Sequence, residues 1–518
     1  MPERHQVVIV GGGPVGMGLA VDLGLRGIEC VVIERHETPH PIPKGQNLTQ
    51  RTMEHFVAWG VEDQMRAARQ MPPGYPNSGV NAYGNLMSDY SYPWWQRSMV
   101  SDYYSRPNER IPQYETERVL REKAASLPTV ETMFGWSAES IEGSSARIVH
   151  HETGRERTVI GEILVGCDGS HSTVREAAGI TETLSDHGRE MVLLVFRSKG
   201  LHRALERFGE VSFFNILPPG LDGYWRFLGR VDAGEQWFFH APVPPEVKEG
   251  SDFAGLLHDA VGTTFECEFD YIGFWDLRFA VADQYRKGPV ILAGDAAHSH
   301  PPYGGYGINT GFEDVRNLGW KLEGLFRGWG GEALLDSYAA ERLPVFRSTA
   351  SDFIEKMIDN GREFLSKHDP EVDREDFEEA WEMRRQRSTL GVADFEPHYE
   401  GSPIVFGPDG GVSGAVGSHV FTARAGHHLP PRGGIFDALG PGFTLLAFDA
   451  SADAVSGFDI ARDELGVPLE VVRRDFDGEV AEYKSRLVLV RPDHYVSWVG
   501  NDADSTVARE VLARSAGR

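Results

Sequence analysis

Residues Gln6 to Glu34 constrain this chain most. A mostly apolar strand, Gln6 to Val10, runs directly into Gly11, Gly13 and Gly16 spaced as GxGxxG. A helix from Pro14 to Leu25, the turn at Gly27, a second strand from Cys30 to Ile33 and the acid Glu34 follow. Strand, glycine turn, helix, strand and acid form the βαβ unit that binds dinucleotides. In that unit Gly11 makes the turn and Gly13 lets backbone approach a pyrophosphate. Gly16 lets helix and strand pack closely, and Glu34 accepts hydrogen bonds from a ribose. The first helical turn, Pro14 and Val15, and Arg35 beside the acid complete the expected nucleotide contacts.

A second stretch, VILAGDAAHSHPPYGGYGINTGFEDVRNLGWKLE from Val290 to Glu323, has matching logic. A buried strand ends at the Gly294-Asp295 corner, a Pro/Gly loop follows, and an amphipathic helix begins near Ile308 or Asn309. An acid at the carboxyl end of a strand holds a sugar-like hydroxyl, and glycine-dense backbone lies flat against a ring. The pattern suits a flavin. The positive helix N-terminus favours an anionic reduced ring. A third corner, EILVGCDGSHSTVREAAGI, puts Asp168 at a strand end before a helix begun near Ser172, which also reads as an N-cap.

Between these corners the pattern changes. After Glu34 a loop with Lys44 feeds a helix of Leu48, Met53, Phe56 and Val57, closed by Gly60. Lys44 and Arg51 are placed to meet the nucleotide phosphates. Residues 71–109 are aromatic-rich (Tyr75, Tyr83, Tyr90, Tyr92, Trp94, Trp95, Tyr103, Tyr104) and broken by Gly, Pro, Asn and Ser. They are expected to be irregular, a wall or lid over an aromatic substrate. From 185 to 280 the period becomes two, which implies a β-rich substrate domain inserted into the nucleotide domain. There Tyr224, Arg226 and Leu228 share one strand face, and with Phe214 and Phe238 they are expected to line a pocket.

The expected fold is therefore α/β, a Rossmann-like nucleotide domain with that insert. Its parts are 1–184, the insert at 185–280, 281–400 with the long helices, and 401–518. The last part opens with a Gly/Pro/Ser linker and ends in an α/β unit of its own. The 518 residues suit about three domains. A net charge of −26 excludes the basic footprint of nucleic-acid binding. Cys30, Cys167 and Cys267 lie far apart without metal spacing, so a metal site is not expected, and a reducing cytoplasmic compartment is. The N-terminus shows no signal-peptide profile, and no apolar run is long enough for a bilayer.

The three motifs, GGGPVG with Glu34, CDGSHSTVR, and GDAAHSHPPYGGYGINTGFEDVRNLGWKL, together resemble the single-component flavoprotein aromatic hydroxylases, the group of para-hydroxybenzoate and phenol hydroxylases. The C-terminal part resembles the degenerate thioredoxin-like domain of the phenol hydroxylase branch, here without cysteine. The resemblance implies FAD, with Gln113, Asp168 and Asp295 among its contacts and Pro302, Gly305, Gly307, Ile308 and Asn309 of the loop facing its ring, and NAD(P)H, O2 and a small aromatic substrate. It also implies electrophilic ring hydroxylation through a flavin 4a-hydroperoxide. Lys44 stands where that family has arginine, losing a bidentate fork. Tyr306 stands where a small polar residue is usual. Pro302 and Tyr303 join the expected substrate pocket. His298, His240, Tyr224 and Tyr306 are candidates by residue type for the base that deprotonates a phenol, and Arg226 for steering the phenolate. For His298, packing of the GDAAH corner is the plainer role. Other flavin oxygenations (epoxidation, Baeyer–Villiger insertion, oxidative denitration or dehalogenation) and a non-catalytic flavin-binding interaction protein stay open, as does a homodimer.

Overall fold

The computed structural model describes residues 3–94 and 97–518, with residues 186–188 described by backbone alone. The dinucleotide unit forms as its residues dictate: strand Glu3–Val10, helix Pro14–Leu25 and strand Cys30–Glu34. These strands sit in the middle of a sheet whose parallel core runs Val290–Leu292, Glu156–Gly166, Glu3–Val10, Cys30–Glu34, Val130–Phe134. Val290–Leu292, Cys30–Glu34 and the carboxyl-terminal halves of Glu3–Val10 and Glu156–Gly166 are near-continuous apolar runs because helices cover both faces of a parallel sheet. Since they are parallel, their carboxyl ends share one edge. Gly11, Glu34, Cys167-Asp168 and Gly294-Asp295 all stand on that edge.

The second sheet has eight strands in the order His298–Ser299, Glu268–Ala282, Glu182–Arg197, Gln236–Val243, Arg226–Arg230, Phe213–Leu217, Gly79–Tyr83, Ser91–Trp94. Its last two strands correct the irregular lid expected of residues 71–109. The Gly, Pro and Asn residues there punctuate short strands, and Pro93 is tolerated because Ser91–Trp94 is the sheet edge, where a missing N–H breaks no ladder. Trp95, grouped with that stretch, lies outside the described residues. Leu48 also differs from expectation. It belongs to a short strand, Asn47–Leu48, paired with Glu109–Arg110, and the helix starts later, at Gln50–Ala58, capped by the Thr49 hydroxyl.

The helix Gly307–Arg327 packs on Pro14–Leu25 and carries the flavin-type loop at its start. The helices Glu332–Ser348, Lys356–Lys367 and Arg374–Arg387 follow, the first two joined by a π-helical stretch, Thr349–Glu355. The C-terminal unit is a four-stranded sheet, Leu469–Arg474, Phe443–Phe448, Leu487–Val490, Val496–Gly500, with helices Ala452–Leu465 and Ser505–Ser515. Its βαβ half followed by an antiparallel ββα half is the thioredoxin arrangement. The segment before it is more than a linker, because Ile404 and Val405 are buried in its core.

Candidate functional site

The edge of the parallel sheet is built for close backbone approach. Gly11 has φ +103°, and a Cβ there would lie 2.3 Å from the Cys167 carbonyl oxygen. At Gly16 a Cβ would meet the Gly11 carbonyl at 1.9 Å, so helix and strand touch as the motif requires. A Cβ on Gly13 would meet nothing within 4 Å, which leaves the space a pyrophosphate needs. Glu34 accepts from the Gly12 N–H at 2.7 Å and the His36 N–H at 2.8 Å, which fixes its carboxylate at the strand end. Pro14 opens the helix, Val15 packs on the Gly294 and Gly311 backbones, and Arg35 stands exposed against His36.

Asp168 and Arg175 are already engaged within the fold. The Asp168 carboxylate accepts from Ser172 Oγ at 2.5 Å, Thr173 Oγ1 at 3.0 Å and the Val174 N–H at 3.1 Å, while Ser172 caps the helix Thr173–Ala177. Arg175 donates to the Ala296 carbonyl and pairs with Glu182, locking this corner to the Asp295 corner. Arg51 corrects the expectation of a phosphate contact. Buried, it pairs with Glu313 at 2.6 Å and Glu54 at 3.1 Å and also donates to the Asp493 carbonyl. A cation flanked by two buried carboxylates is held inside the protein rather than offered to a ligand.

Between this edge and the second sheet lies a cavity of about 420 Å³. Lys44, Gly45, Gln113, Asp295, Pro302, Gly305, Gly307 and Ile308 line its nucleotide side. Gln113 accepts from the Gly45 N–H at 3.1 Å, and Gly307–Arg327 begins with no acid in its first turn and no side-chain cap, so its partial positive charge faces the cavity. Asp295 opens into the cavity yet is hemmed in by protein, and this enclosure raises its carboxyl above the usual range against the pull of His298 and Lys44. Asn309 differs from its neighbours: its amide is consumed by Thr49, Thr52, Asn47 and Gly305, so it fastens the helix start to the Thr49 turn.

The opposite wall is one face of the second sheet. Partners aligned across strands share a face. The row Gly273, Leu193, His240, Phe227, Asn215, Asn81, Tyr92 crosses seven strands without a break. Its first four residues floor the 420 Å³ cavity and its last three floor a larger one of about 860 Å³. Pro302 lines the smaller cavity, Tyr303 and Tyr306 the larger, so this loop is the partition. Tyr303 is fixed by hydrogen bonds between its hydroxyl and the Trp225 backbone.

This register overturns part of the expected pocket. Phe214 and Leu228 point the other way into a buried apolar core. Arg226 pairs with Asp259 at 2.5 Å, and buried Tyr224 lies under the Arg189 guanidinium; neither lines either of these two cavities. The residues that do are Phe213, Phe227 and Phe238, of which only Phe238 was expected. The alternation was legible, but a period of two does not say which face looks at the nucleotide domain, and choosing the wrong one moves every side chain across the sheet.

Among the candidate bases, His298 is committed to Asp314 at 2.7 Å and stacked on Phe346, the packing role. Tyr306 lines the larger cavity, packed on Phe395 under Arg97. His240 lies in the smaller cavity with Nδ1 unpartnered, and burial lowers its pKa to about 4, so the ring is neutral. No local pattern singles out Arg110. Buried in the same wall, it lies over Phe238 and Phe213 and donates to Gln46 and to the Ser212 and Arg230 carbonyls. Among the described residues no carboxylate pairs with it, and burial with Arg230 nearby lowers its pKa to about 9.

Residues 4–352 match the model of the FAD binding domain family and residues 427–518 that of the aromatic-ring hydroxylase C-terminal domain. The chain belongs to the FAD-dependent aromatic-ring hydroxylases. It is 30% identical to 4-methyl-5-nitrocatechol 5-monooxygenase of Burkholderia sp over 96% of this chain and 94% of that protein. It is 32% identical to aklavinone 12-hydroxylase DnrF of Streptomyces peucetius, over 66% of this chain and 72% of that one. The rebeccamycin biosynthetic enzyme RebC with reduced flavin superposes with a TM-score of 0.82 at 28% identity, each chain fully covered. The hydroxylase is thus an FAD-dependent monooxygenase of aromatic rings, which sets aside a non-catalytic flavin-binding role. Among the described residues no helix is long and apolar enough to cross a membrane.

Proposed function

We propose that the hydroxylase inserts one oxygen of O2 into a phenolic ring at the expense of NAD(P)H, with the ring lying on the aromatic floor of the two cavities. The observation that carries this reading is one sheet face that bears Phe213, Phe227, Phe238 and a neutral histidine, with Arg110 laid over it and, among the described residues, paired with no carboxylate. It stands opposite a glycine loop and a bare helix start. The residues present fit FAD: Gly13 leaves room for the pyrophosphate, Glu34 for the ribose, and Asp295 and Gln113 offer polar contacts along the way to the cavity. When bound, FAD supplies the hydride acceptance and oxygen activation that side chains lack.

The protein's own contribution is orientation, charge and dryness. Arg110 is a cation whose hydrogen bonds go only to neutral acceptors among the described residues, so a phenolate or another substrate anion would gain from it what no internal carboxylate takes. His240, held neutral, accepts a hydrogen bond from a phenol hydroxyl and adds no competing charge. The phenylalanine floor excludes water, which strengthens both contacts. The larger cavity on the same floor gives room for a substrate of more than one ring.

A phenol panel scored for NADH and NADPH oxidation, O2 uptake and product mass tests the reading. Arg110→Met should weaken KM for a phenol about 10- to 100-fold, the loss of one charge-assisted contact. FAD content should be unchanged. Cofactor oxidation that no phenol stimulates, or an Arg110→Met enzyme with unaltered KM, would overturn it.

A further inference from the structure

Away from the flavin cleft, the strand Phe395–His398 and the turn before the C-terminal sheet bring His398, Glu400 and His427 together. One ligand atom from each lies within 4.8 Å of the others, and among the described residues no other such trio of His, Cys, Asp or Glu occurs. We propose that these three side chains bind a divalent transition-metal cation of the zinc class, which ties the segment after the long helices to the C-terminal unit.

The orientation of the two rings argues for a ligand. His398 Nε2 faces the Val416 carbonyl at 3.2 Å, which only accepts, so the proton sits on Nε2 and Nδ1 keeps its lone pair. That Nδ1 is buried and has no partner, in a residue only 9 % exposed. His427 Nδ1 donates to Glu396 Oε1 at 2.8 Å. Arg424 Nη2 at 2.8 Å and the Ser418 N–H at 3.1 Å hold Glu396 in place. His398 therefore gives one N–H to an oxygen and turns an unpartnered nitrogen inward, while His427 is held by Glu396 at Nδ1 and directs Nε2 inward to Glu400. A carboxylate or carbonyl behind each ring is the outer shell that metal-ligating histidines carry. The inward His427 Nε2 meets Glu400 Oε1 at 2.9 Å.

The backbone fixes the trio before any cation arrives. The Tyr399 N–H donates to the Gly426 carbonyl at 2.7 Å, and the Val496 N–H donates to the His427 carbonyl at 2.8 Å. Gly426 has φ +90°, and a Cβ there would lie 2.7 Å from the Glu400 N, so the two segments could not approach with another residue. The rings of His398 and His427 are nearly parallel with centroids 4.9 Å apart. On binding, the His427 Nε2 proton leaves to solvent, the Nε2 to Glu400 hydrogen bond is replaced by two bonds to the cation, and the rings tilt toward it. Glu400 is part-exposed, which gives an entry path and a fourth position for water. Two imidazoles and one carboxylate suit zinc better than magnesium or calcium, which prefer all-oxygen sites.

The test uses the untagged, FAD-loaded full chain, stripped with a chelator and titrated with Zn2+ by calorimetry in buffers of different ionisation enthalpy. One equivalent should bind with release of a proton, and Co2+ should give d–d absorption beyond the flavin bands. His398→Ala and His427→Ala should each weaken Zn2+ binding by about 100-fold or more, and Glu396→Gln by about 10-fold. Zn2+ should raise the melting temperature of the parent and not of His398→Ala. If His427→Ala does not fold, Glu400→Gln, at a part-exposed side chain, decides in its place. Absence of stoichiometric binding to the parent, or binding unchanged in His398→Ala or Glu400→Gln, would overturn the proposal.

Discussion

The facing of the strand Arg226–Arg230 can be tested by two neighbouring substitutions whose effects should separate. Leu228 is fully buried among Phe214, Phe239 and Leu257 on the far side of the sheet. Leu228→Ala removes three carbons from a close-packed core, which costs about 2–5 kcal/mol of stability, and leaves the cavity floor untouched. Phe227 lies on the floor between Phe213, with ring centroids 5.7 Å apart, and Phe238, at 5.6 Å. Phe227→Ala removes a ring against which an aromatic substrate would pack, a contact worth about 1–2 kcal/mol with its buried area. That corresponds to a loss of about 5- to 30-fold in kcat/KM. Thermal melting of the FAD-loaded protein and steady-state kinetics on the phenol with the best-coupled turnover give the two readouts. Leu228→Ala should lower the melting temperature with KM nearly unchanged, whereas Phe227→Ala should raise KM, whatever stability it also loses with its contacts to Phe213 and Phe238. A Leu228→Ala enzyme that melts normally but loses substrate affinity would show that the register places the wrong face on the cavity.

Burial of His240 makes stability pH-dependent. Its folded pKa of about 4 lies below the ordinary 6.5, so the unfolded chain binds the extra proton first. Stability is therefore complete above pH 6.5 and falls as pH drops toward 4, by up to about 3 kcal/mol at about 1.4 kcal/mol per unit. Urea unfolding across that window should show the slope, to which buried His55 and His300 add in the same sense, and His240→Gln should remove its own share. Arg491, fully buried, binds Glu341 at 2.6 and 2.9 Å and Asp493 at 2.6 Å, joining the helix Glu332–Ser348 to the C-terminal unit. Arg491→Met leaves Asp493 without its cation and Glu341 with Lys321 as its remaining cation, and should cost about 3–5 kcal/mol, read by tryptophan fluorescence because the guanidinium sits 5.1 Å from the Trp320 ring centroid.

The local chemistry of the chain decided much of this molecule by itself. A βαβ unit is written in consecutive residues: the Gly11, Gly13, Gly16 spacing, the helix Pro14–Leu25 and the strand ending at Glu34 depend on short-range sterics and hydrogen bonding. The same holds for the strand Val290–Leu292, the Asp295 corner and the helix behind it. What depends on distant partners was not legible. Arg51 reads as a free cation until Glu313, 262 positions away, closes on it. Arg110 reads as one more charge in a polar stretch until folding buries it against Phe213 and Phe238, with no carboxylate paired to it among the described residues. The alternation in Arg226–Arg230 separates two sets of side chains, but hydrophobicity is alike on both faces of a sheet covered on both sides. Only the packing of that sheet against the nucleotide domain determines which set meets the ring.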